Sequence, residues 1–473
     1  MRPRRPEQTS QAAPLPPDIE ETALAEGSPR SPTSAQVTRL VVVYPRTQAG
    51  VHLLGDAEAV LGRHPGPAIP VAVMHPTVSR RHAIFRWDPA ACRHTVADLG
   101  SRNGTWLNGQ TVSALPRTLE DQAVLRVGSV IAIYERQDAA AVDPPEVSRA
   151  AVPGDSLASQ QLRAAIDRAG PDPSPALILG ETGAGKEGVA AELHRLGGRR
   201  GPQLTINCAA LSPQLVESTL FGHTRGAFTG ATEEHAGMFR AAHGGTLFLD
   251  ELGELPIDLQ PKLLRAVELG EVVAVGSTQT HRVDVRLVAA TNRSLLADVE
   301  QGKFRRDLYA RLALWEIHVP PLRARRADML AWIDRLHAAW AAQRERSDLA
   351  PLEFQPDAAE ALLLQPWLDN LRGLQRFVHA CAAIADPVPI HRAELGPWLA
   401  GDLPLETSML AVTPVPASLR NTRPRPTREA LLAILKSTGW SIRATAKHYE
   451  RDRKQISRWI EMYTIEMPAR GNE

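Results

Sequence analysis

From Val37 onward, short apolar runs alternate with turn residues: RLVVVY, AVLGR, HAIFRW, HTVADL and VLRVGSVIAIY are separated by Gly, Pro, Asn and Asp. Runs of this length and punctuation predict strands, and several in succession predict an all-β sandwich. Past a Pro/Ala-rich stretch, DAAAVDPPEVSRAAVPGD, the pattern changes. ALILG is followed by KEGVAAELHRL, and GTLFLDEL by DLQPKLLRAVEL. Strand and helix periods in alternation predict an α/β unit from 154 to about 325, with helical sequence from ADMLAWIDRLHAAWAAQ to about Ala400. A second Pro-rich stretch, TPVPASLRNTRPRPT, leads to REALLAILKSTGWSIRATAKHYERDRKQISRWIEMY, which reads as three short helices.

Residues 1–36 contain no Phe, Trp or Tyr and are rich in Pro, Ser, Ala and charge, a composition that cannot bury a core; a disordered tail is expected there. The division that follows is multidomain: tail 1–36, β domain 37–137, linker 138–153, α/β domain with helical lid 154–400, linker 401–426 and a small all-α domain 427–466. A chain of 473 residues is too long for one core, which agrees.

Phosphate chemistry is the strongest signal. GETGAGKE (Gly180, Glu181, Thr182, Gly183, Ala184, Gly185, Lys186, Glu187) follows the apolar run ALIL and opens a helical segment, the context of a Walker A loop. Its glycines let backbone N–H groups close round phosphates, and Lys186 reaches the terminal ones. GGTLFLDE ends an apolar strand in Asp250 and Glu251, where one carboxylate can hold Mg²⁺ and its neighbour can polarise an attacking water. VAATNR places Asn292 at the end of another strand, suited to sensing a γ-phosphate. In FRRDLYARL, Arg305, Arg306 and Arg311 are either a solvated face or, in a ring, fingers reaching a neighbour's γ-phosphate.

One stretch is anomalous. FGHTRGAFTGA (Phe221 to Ala231) sets an aromatic residue among Gly222, Gly226 and Gly230, too many glycines for a helix and too few branched side chains for a buried strand. It reads as a loop with an apolar tip, and such loops usually touch a partner.

Charge refines the picture only locally. The net charge is +1, but from Arg420 onward 12 Lys/Arg face 6 Asp/Glu, an excess that a DNA backbone contact would use. Arg453, Lys454, Gln455, Ser457 and Arg458 are the candidates for the major groove or phosphates, with Ile456, Trp459 and Ile460 turned inward. In the β domain, Arg63, Ser79, Arg80, Arg102 and Asn103 sit on turns and offer the guanidinium, hydroxyl and amide donors a phosphate requires. Cys92, Cys208 and Cys381 form no CxxC pair, and no apolar run approaches membrane length; a cytoplasmic protein is expected.

Taken in order, GETGAGKE, INCAAL, ESTLFGHTRGAFTGA, GGTLFLDELGELP, LQPKLLRAVE, VRLVAATNR, FRRDLYARL and VPPLRARRAD resemble the AAA+ domain of sigma-54-dependent transcription activators over about 154–400. The resemblance implies that Gly226, Ala227, Phe228, Thr229, Gly230 and Ala231 grip sigma-54. It also implies that Asn207 couples Glu251 to that loop and that Arg305 and Arg311 are trans fingers in a homo-oligomeric, hexameric ring. The family's PGNVREL stretch is LDNLRGL here, leaving Arg372 as the second sensor arginine and putting the lid geometry in question. LGRH, TVSRRHAIF and DLGSRNGTWLNG resemble the forkhead-associated (FHA) domain over about 38–136. That likeness implies phosphothreonine binding by Arg63, Ser79 and Asn103, with His82 as a brace. The C-terminal helices are similar to the Fis-type helix-turn-helix. With no receiver-type segment ahead of the ATPase, Ser/Thr phosphorylation is the expected input. The implied activity is ATP- and Mg²⁺-dependent remodelling of sigma-54 RNA polymerase from upstream promoter DNA; the competing function is a phosphopeptide-binding scaffold with a vestigial ATPase.

Overall fold

The computed structural model describes residues 36–66, 69–138, 146–346, 349–384 and 389–399, and, in the C-terminal segment, 428–438 with scattered positions to 465. Residues 1–402 and 403–473 form two separate units.

The first unit begins with eleven strands: β1 (Gln36–Tyr44), β2 (Gly50–Leu54), β3 (Ala59–Gly62), β4 (Val71–Ala72), β5 (Ala83–Asp88), β6 (Arg93–Asp98), β7 (Thr105–Leu107), β8 (Gln110–Val112), β9 (Arg117–Thr118), β10 (Ala123–Val127) and β11 (Val130–Asp138). They form the expected sandwich, with sheets ordered β2-β1-β11-β10-β7-β8 and β4-β3-β5-β6-β9. Period-two alternation turns Leu40, Val42, Ala132 and Tyr134 into the sandwich core with Leu61, Phe85, Val96 and Leu125. The run SVIAIY lacks clean alternation because the sheet's other face is buried too. Val43, Val124, Ile131 and Ile133 pack on helices of the α/β domain.

That domain starts with α1 (Leu157–Ala169), β12 (Ala176–Leu179), α2 (Lys186–Leu196), β13 (Gln203–Asn207), α3 (Pro213–Phe221), α4 (Met238–Ala241) and β14 (Thr246–Asp250). It continues with α5 (Gln260–Leu269), β15 (Glu271–Val273), β16 (Thr280–Arg282), β17 (Arg286–Thr291), α6 (Leu295–Glu300), α7 (Arg306–Leu312) and β18 (Trp315–His318). The central sheet, β13-β14-β17-β12-β18, is parallel throughout. Helices cover both faces, which is why TLFLD and RLVAAT are buried at every position. Arg286 on β17 is 1 % exposed; its guanidinium donates to the carbonyls of Ala169 (2.7 Å) and Gly170 (2.6 Å) at the end of α1 and to Leu193 O (3.0 Å) in α2, which also accepts from Gly197 N–H.

The lid comprises α8 (Met329–Ala342), α9 (Pro356–Leu364), α10 (Asn370–Ile384) and α11 (Gly396–Leu399). Part of the stretch expected to be linker is instead structured: Val147 and Val152 are buried in the α/β core, and Ser148 N–H donates to Glu192 at 2.6 Å. Its Pro/Ala-rich composition hides two valines that the core needs.

In the second unit, α12 (Arg428–Ser437) buries Leu431 and Leu435 against Ile456, Ile460 and Ile465. Arg453, Lys454, Gln455, Ser457, Arg458 and Trp459 lie outside the described residues, as does the tail at 1–35.

Candidate functional site

The loop between β12 and α2 takes its shape from two glycines with positive φ, Gly183 (73°) and Gly185 (106°); the second caps α2 in a left-handed conformation. Lys186, the first residue of α2, is buried. Its ammonium donates to Gly180 O at 3.0 Å and lies 3.8 Å from Glu251 Oε1. With its main partners backbone carbonyls of its own loop, the charge is free to turn toward a phosphate.

β14 delivers Asp250 and Glu251 opposite this lysine. Asp250 is 8 % exposed, and its Oδ1 is buried without a hydrogen-bond partner among the described residues. An orphaned carboxylate oxygen is costly in a protein interior and fits a cation ligand. Glu251 has φ 53° and ψ 48°, an unusual backbone for glutamate that aims its carboxylate into the cleft. β13 runs beside β14 with Asn207 level with Asp250, and the Asn207 amide donates to Asp250 Oδ2 at 3.2 Å rather than to Glu251. Asn292, past the end of β17, donates to Thr182 Oγ1 at 3.0 Å.

The lid closes the cleft. Leu371 N–H donates to Gly183 O at 3.0 Å, and the fully buried Asn370 donates to Thr182 O and Glu181 Oε2, each at 3.1 Å. Asn370 has φ 50°, a left-handed conformation that Asn tolerates, and its Oδ1 accepts from Leu322 N at 2.7 Å. The turn altered in LDNLRGL is thus rebuilt around the Asn370 side chain. Arg323 grips Glu181 at 2.8 Å and, followed by Asn370, holds that carboxyl down at about 2 although burial acts the other way. Arg372 lines the cleft, whose volume is about 280 Å³, with Trp332 and Leu336 of α8 opposite the P-loop. Nothing in the sequence marked Trp332 and Leu336 as cleft residues or Arg323 as the partner of Glu181, because the segment after β18 read only as helical sequence.

Arg305 and Arg311 do not reach this cleft. Arg305 is 44 % exposed and pairs with Asp307 at 2.7 Å; Arg311 is 49 % exposed and 3.7 Å from Glu268.

The glycine-rich loop emerges between α3 and α4, within the connection from β13 to β14. Gly226 N–H donates to Ala231 O (2.8 Å) and Ala231 N–H to Phe228 O (3.0 Å), closing a tight tip with Phe228, Thr229 and Gly230 exposed. The Phe228 ring meets His223 edge-on at 5.0 Å, and His223 is itself anchored to Ser218 at 2.6 Å.

The sandwich brings together a second set of candidate residues. Arg63 N–H donates to Ser79 O (3.0 Å), Ser79 Oγ accepts from Arg102 N (3.1 Å), and Asn103 Nδ2 donates to Thr77 O (2.7 Å), which gathers the turns at 63, 79–80 and 101–103. Arg63 Nε is buried without a partner among the described residues, a donor positioned for an anion. His82 is fully buried: Nδ1 accepts from Ser79 N (3.0 Å) and Nε2 donates to Gly104 O (2.9 Å). Burial lowers its pKa, against the Gly104 bond and Asp98, and keeps the ring neutral.

Residues 152–318 match the Sigma-54 interaction domain, and residues 59–132 match the FHA domain. Over 306 residues the chain is 40% identical to the transcriptional regulatory protein ZraR of Klebsiella oxytoca, covering 64% of this chain and 67% of that protein. The chain belongs to the sigma-54-dependent transcriptional regulators. This regulator is also 48% identical over 209 residues to the nitric oxide reductase transcription regulator NorR1 of Cupriavidus necator, which is 44% of this chain and 40% of NorR1. It thus spans about two fifths of the length of that relative. Among solved structures it is similar to NtrX from Brucella abortus in complex with ATP, at 33% identity, TM-score 0.47, and coverage of 66% of this chain and 69% of that one.

Proposed function

We propose that this regulator hydrolyses ATP between its P-loop and lid and uses the cycle to remodel the sigma-54 RNA polymerase closed complex. One observation carries the reading. The glycine-rich loop belongs to an excursion whose two ends, Asn207 and Asp250, are hydrogen-bonded to each other inside the nucleotide site. A change at those ends is therefore delivered to Phe228 and Thr229.

Bound ATP supplies the γ-phosphoryl group that is transferred to water, and Mg²⁺ neutralises charge on the phosphates. Lys186 and the N–H groups of residues 182–187 bind phosphate. Asp250, whose Oδ1 has no hydrogen-bond partner among the described residues, would hold the metal, Glu251 would orient the water and accept its proton, and Asn292 would read the terminal phosphate. Arg372 contacts the nucleotide from the lid. Arg305, just ahead of α7, and Arg311 within it are exposed and suit service across a subunit boundary in a homo-hexameric ring. The FHA domain binds a phosphothreonine-containing protein through Arg63, Ser79, Arg80, Arg102 and Asn103, and the C-terminal domain binds upstream DNA through Arg453, Lys454, Gln455, Ser457 and Arg458. No helix among the described residues is long and apolar enough to cross a membrane, and we place the regulator in the cytoplasm with its template.

Steady-state ATP hydrolysis by the purified full chain tests the enzymatic core. Glu251→Gln lowers kcat by about 10²–10⁴-fold, the usual contribution of a positioned base, while nucleotide affinity stays within about threefold. Unchanged turnover in that variant would leave the scaffold reading.

A further inference from the structure

The FHA sandwich is not tethered beside the ATPase; it shares a core with the lid. Val43, Val124, Ile131 and Ile133, on the outer face of β1, β10 and β11, are buried with Met329, Leu330, Ile333, Leu362 and Leu363 of α8 and α9. Polar contacts fix the same interface at its edges. Tyr44 Oη donates to Phe354 O (2.7 Å), Arg46 Nε to Asp334 (2.7 Å), and Arg326 Nη1 to Gln122 O (2.7 Å). The outer face of the sheet was written in the sequence as an apolar run with no partner; the lid is that partner.

One contact lies directly behind the phosphate-binding turns. Arg126, in register with Trp106 across β10 and β7, stacks its guanidinium 3.5 Å from the Trp106 ring. Its Nε donates to Glu360 on α9 at 2.6 Å, and Glu360 is buried with Oε1 unpartnered among the described residues. The Trp106 ring also lies close to Gly104, where a Cβ would stand 2.9 Å from it. Gly104 O accepts from His82 and from Gly128 N (3.1 Å), and Thr77, whose carbonyl takes the Asn103 amide, accepts at Oγ1 from Ser129 N (2.9 Å). The turn at 101–104 and the β10–β11 turn are therefore one bonded assembly, and Arg126 is its arm onto the lid. Elsewhere on the lid, Asn370 and Leu371 at the start of α10 grip the P-loop.

We propose that Arg126 is a positioning residue that links phosphothreonine occupancy at Ser79, Arg102 and Asn103 to the seating of the lid on the P-loop, and so to ATP affinity. The proposal rests on the phosphothreonine reading of those residues. A displacement of the 101–104 turn by a bound phosphate shifts the Trp106–Arg126 stack, and Glu360 transmits the shift because a buried carboxylate cannot give up its cationic partner without large cost. Linkage makes the effect reciprocal: ATP alters peptide affinity by the same factor.

The test uses the full chain and a peptide mixture with phosphothreonine fixed and flanking positions randomised, with its unphosphorylated counterpart as control. Peptide binding is read by fluorescence anisotropy, and KM and kcat for ATP are measured with and without peptide. The wild type binds the phosphorylated mixture, and its KM for ATP shifts by about fivefold or more, within the usual range of allosteric coupling, with kcat changed less. Arg126→Met retains peptide binding and basal hydrolysis but loses the KM shift; Arg126→Lys restores part of it, and Glu360→Gln, an independent variant at the other end of the contact, loses it as well. Thermal melting confirms that each variant is folded. Peptide binding with no KM shift in the wild type, or a shift that survives in both Arg126→Met and Glu360→Gln, overturns the coupling and leaves phosphothreonine recognition standing. Failure of the wild type to prefer the phosphorylated mixture removes phosphothreonine recognition and the coupling with it.

Discussion

Asn207 and Asp250, level with each other on neighbouring parallel strands, are joined by a 3.2 Å hydrogen bond from the Asn207 amide to Asp250 Oδ2. The 42 residues between them include the loop at 226–231, so this bond closes the base of the element proposed to meet sigma-54. A hydrogen bond to a charged group contributes about 1.5–3 kcal/mol. Asn207→Ala is expected to leave ATP binding within about threefold while promoter opening per ATP hydrolysed falls about tenfold or more, the lower end of that energy range. Parallel loss of opening and hydrolysis in a coupled assay would contradict the role.

The Glu181–Asn370 contact predicts a lid phenotype. Asn370→Ala leaves Leu322 N–H without its acceptor and removes two donors from the P-loop, at a cost of about 1–3 kcal/mol for the buried group. Chemical denaturation should show that loss, and KM for ATP should rise more than kcat falls. Glu181 itself ionises far below its ordinary value of 4.5, at about 2, so its contribution is fully present above pH 4.5 and disappears only as pH falls toward 2. Between pH 5 and 8 the KM for ATP should carry no titration from this carboxylate.

The β-sandwich also loses stability on acidification, but in a higher pH window. His82 and His94 are buried, and burial lowers both below 6.5, so the unfolded chain takes up protons first as pH falls. Stability of the FHA domain should be maximal above pH 6.5 and decline progressively below it. Thermal melts of the full chain between pH 7.5 and 5.5 check this; a melting temperature that rises on acidification would reverse the sign.

Arg286 offers a purely structural prediction. Arg286→Met takes the guanidinium from the carbonyls of Ala169, Gly170 and Leu193; Leu193 O keeps the Gly197 N–H at 3.0 Å, while the other two lose this donor, at about 1–3 kcal/mol per group. A destabilisation of at least about 2 kcal/mol in urea is expected, with the proposed phosphopeptide binding unaffected when assayed below the transition.

These predictions also mark what the sequence could reveal. The P-loop, the strand-end carboxylates and the gathered turns at 63, 79–80 and 101–103 are legible because their pattern is local: glycines at positive φ, a lysine opening a helix, and donors on turns between alternating strands. The docking of sandwich on lid is not. Arg126 and Glu360 lie 234 positions apart, and neither has a distinctive neighbourhood. What the sequence did carry was a partial trace, the lack of alternation in SVIAIY, which is what a strand buried on both faces produces. The stretch at 147–152 was misleading for a related reason, since its two buried valines sit among prolines and alanines that read as linker.

The central claim, that ATP hydrolysis is transmitted through the 226–231 loop to sigma-54, is tested most directly by open-complex formation. Purified full-length protein, sigma-54 RNA polymerase, supercoiled template and ATP are combined, and wild type is compared with Thr229→Ala. Thr229 is exposed at the loop tip and remote from the cleft, so the variant should hydrolyse ATP at the wild-type rate yet open no promoter above background. Normal promoter opening by Thr229→Ala, with ATPase unchanged, would contradict the account.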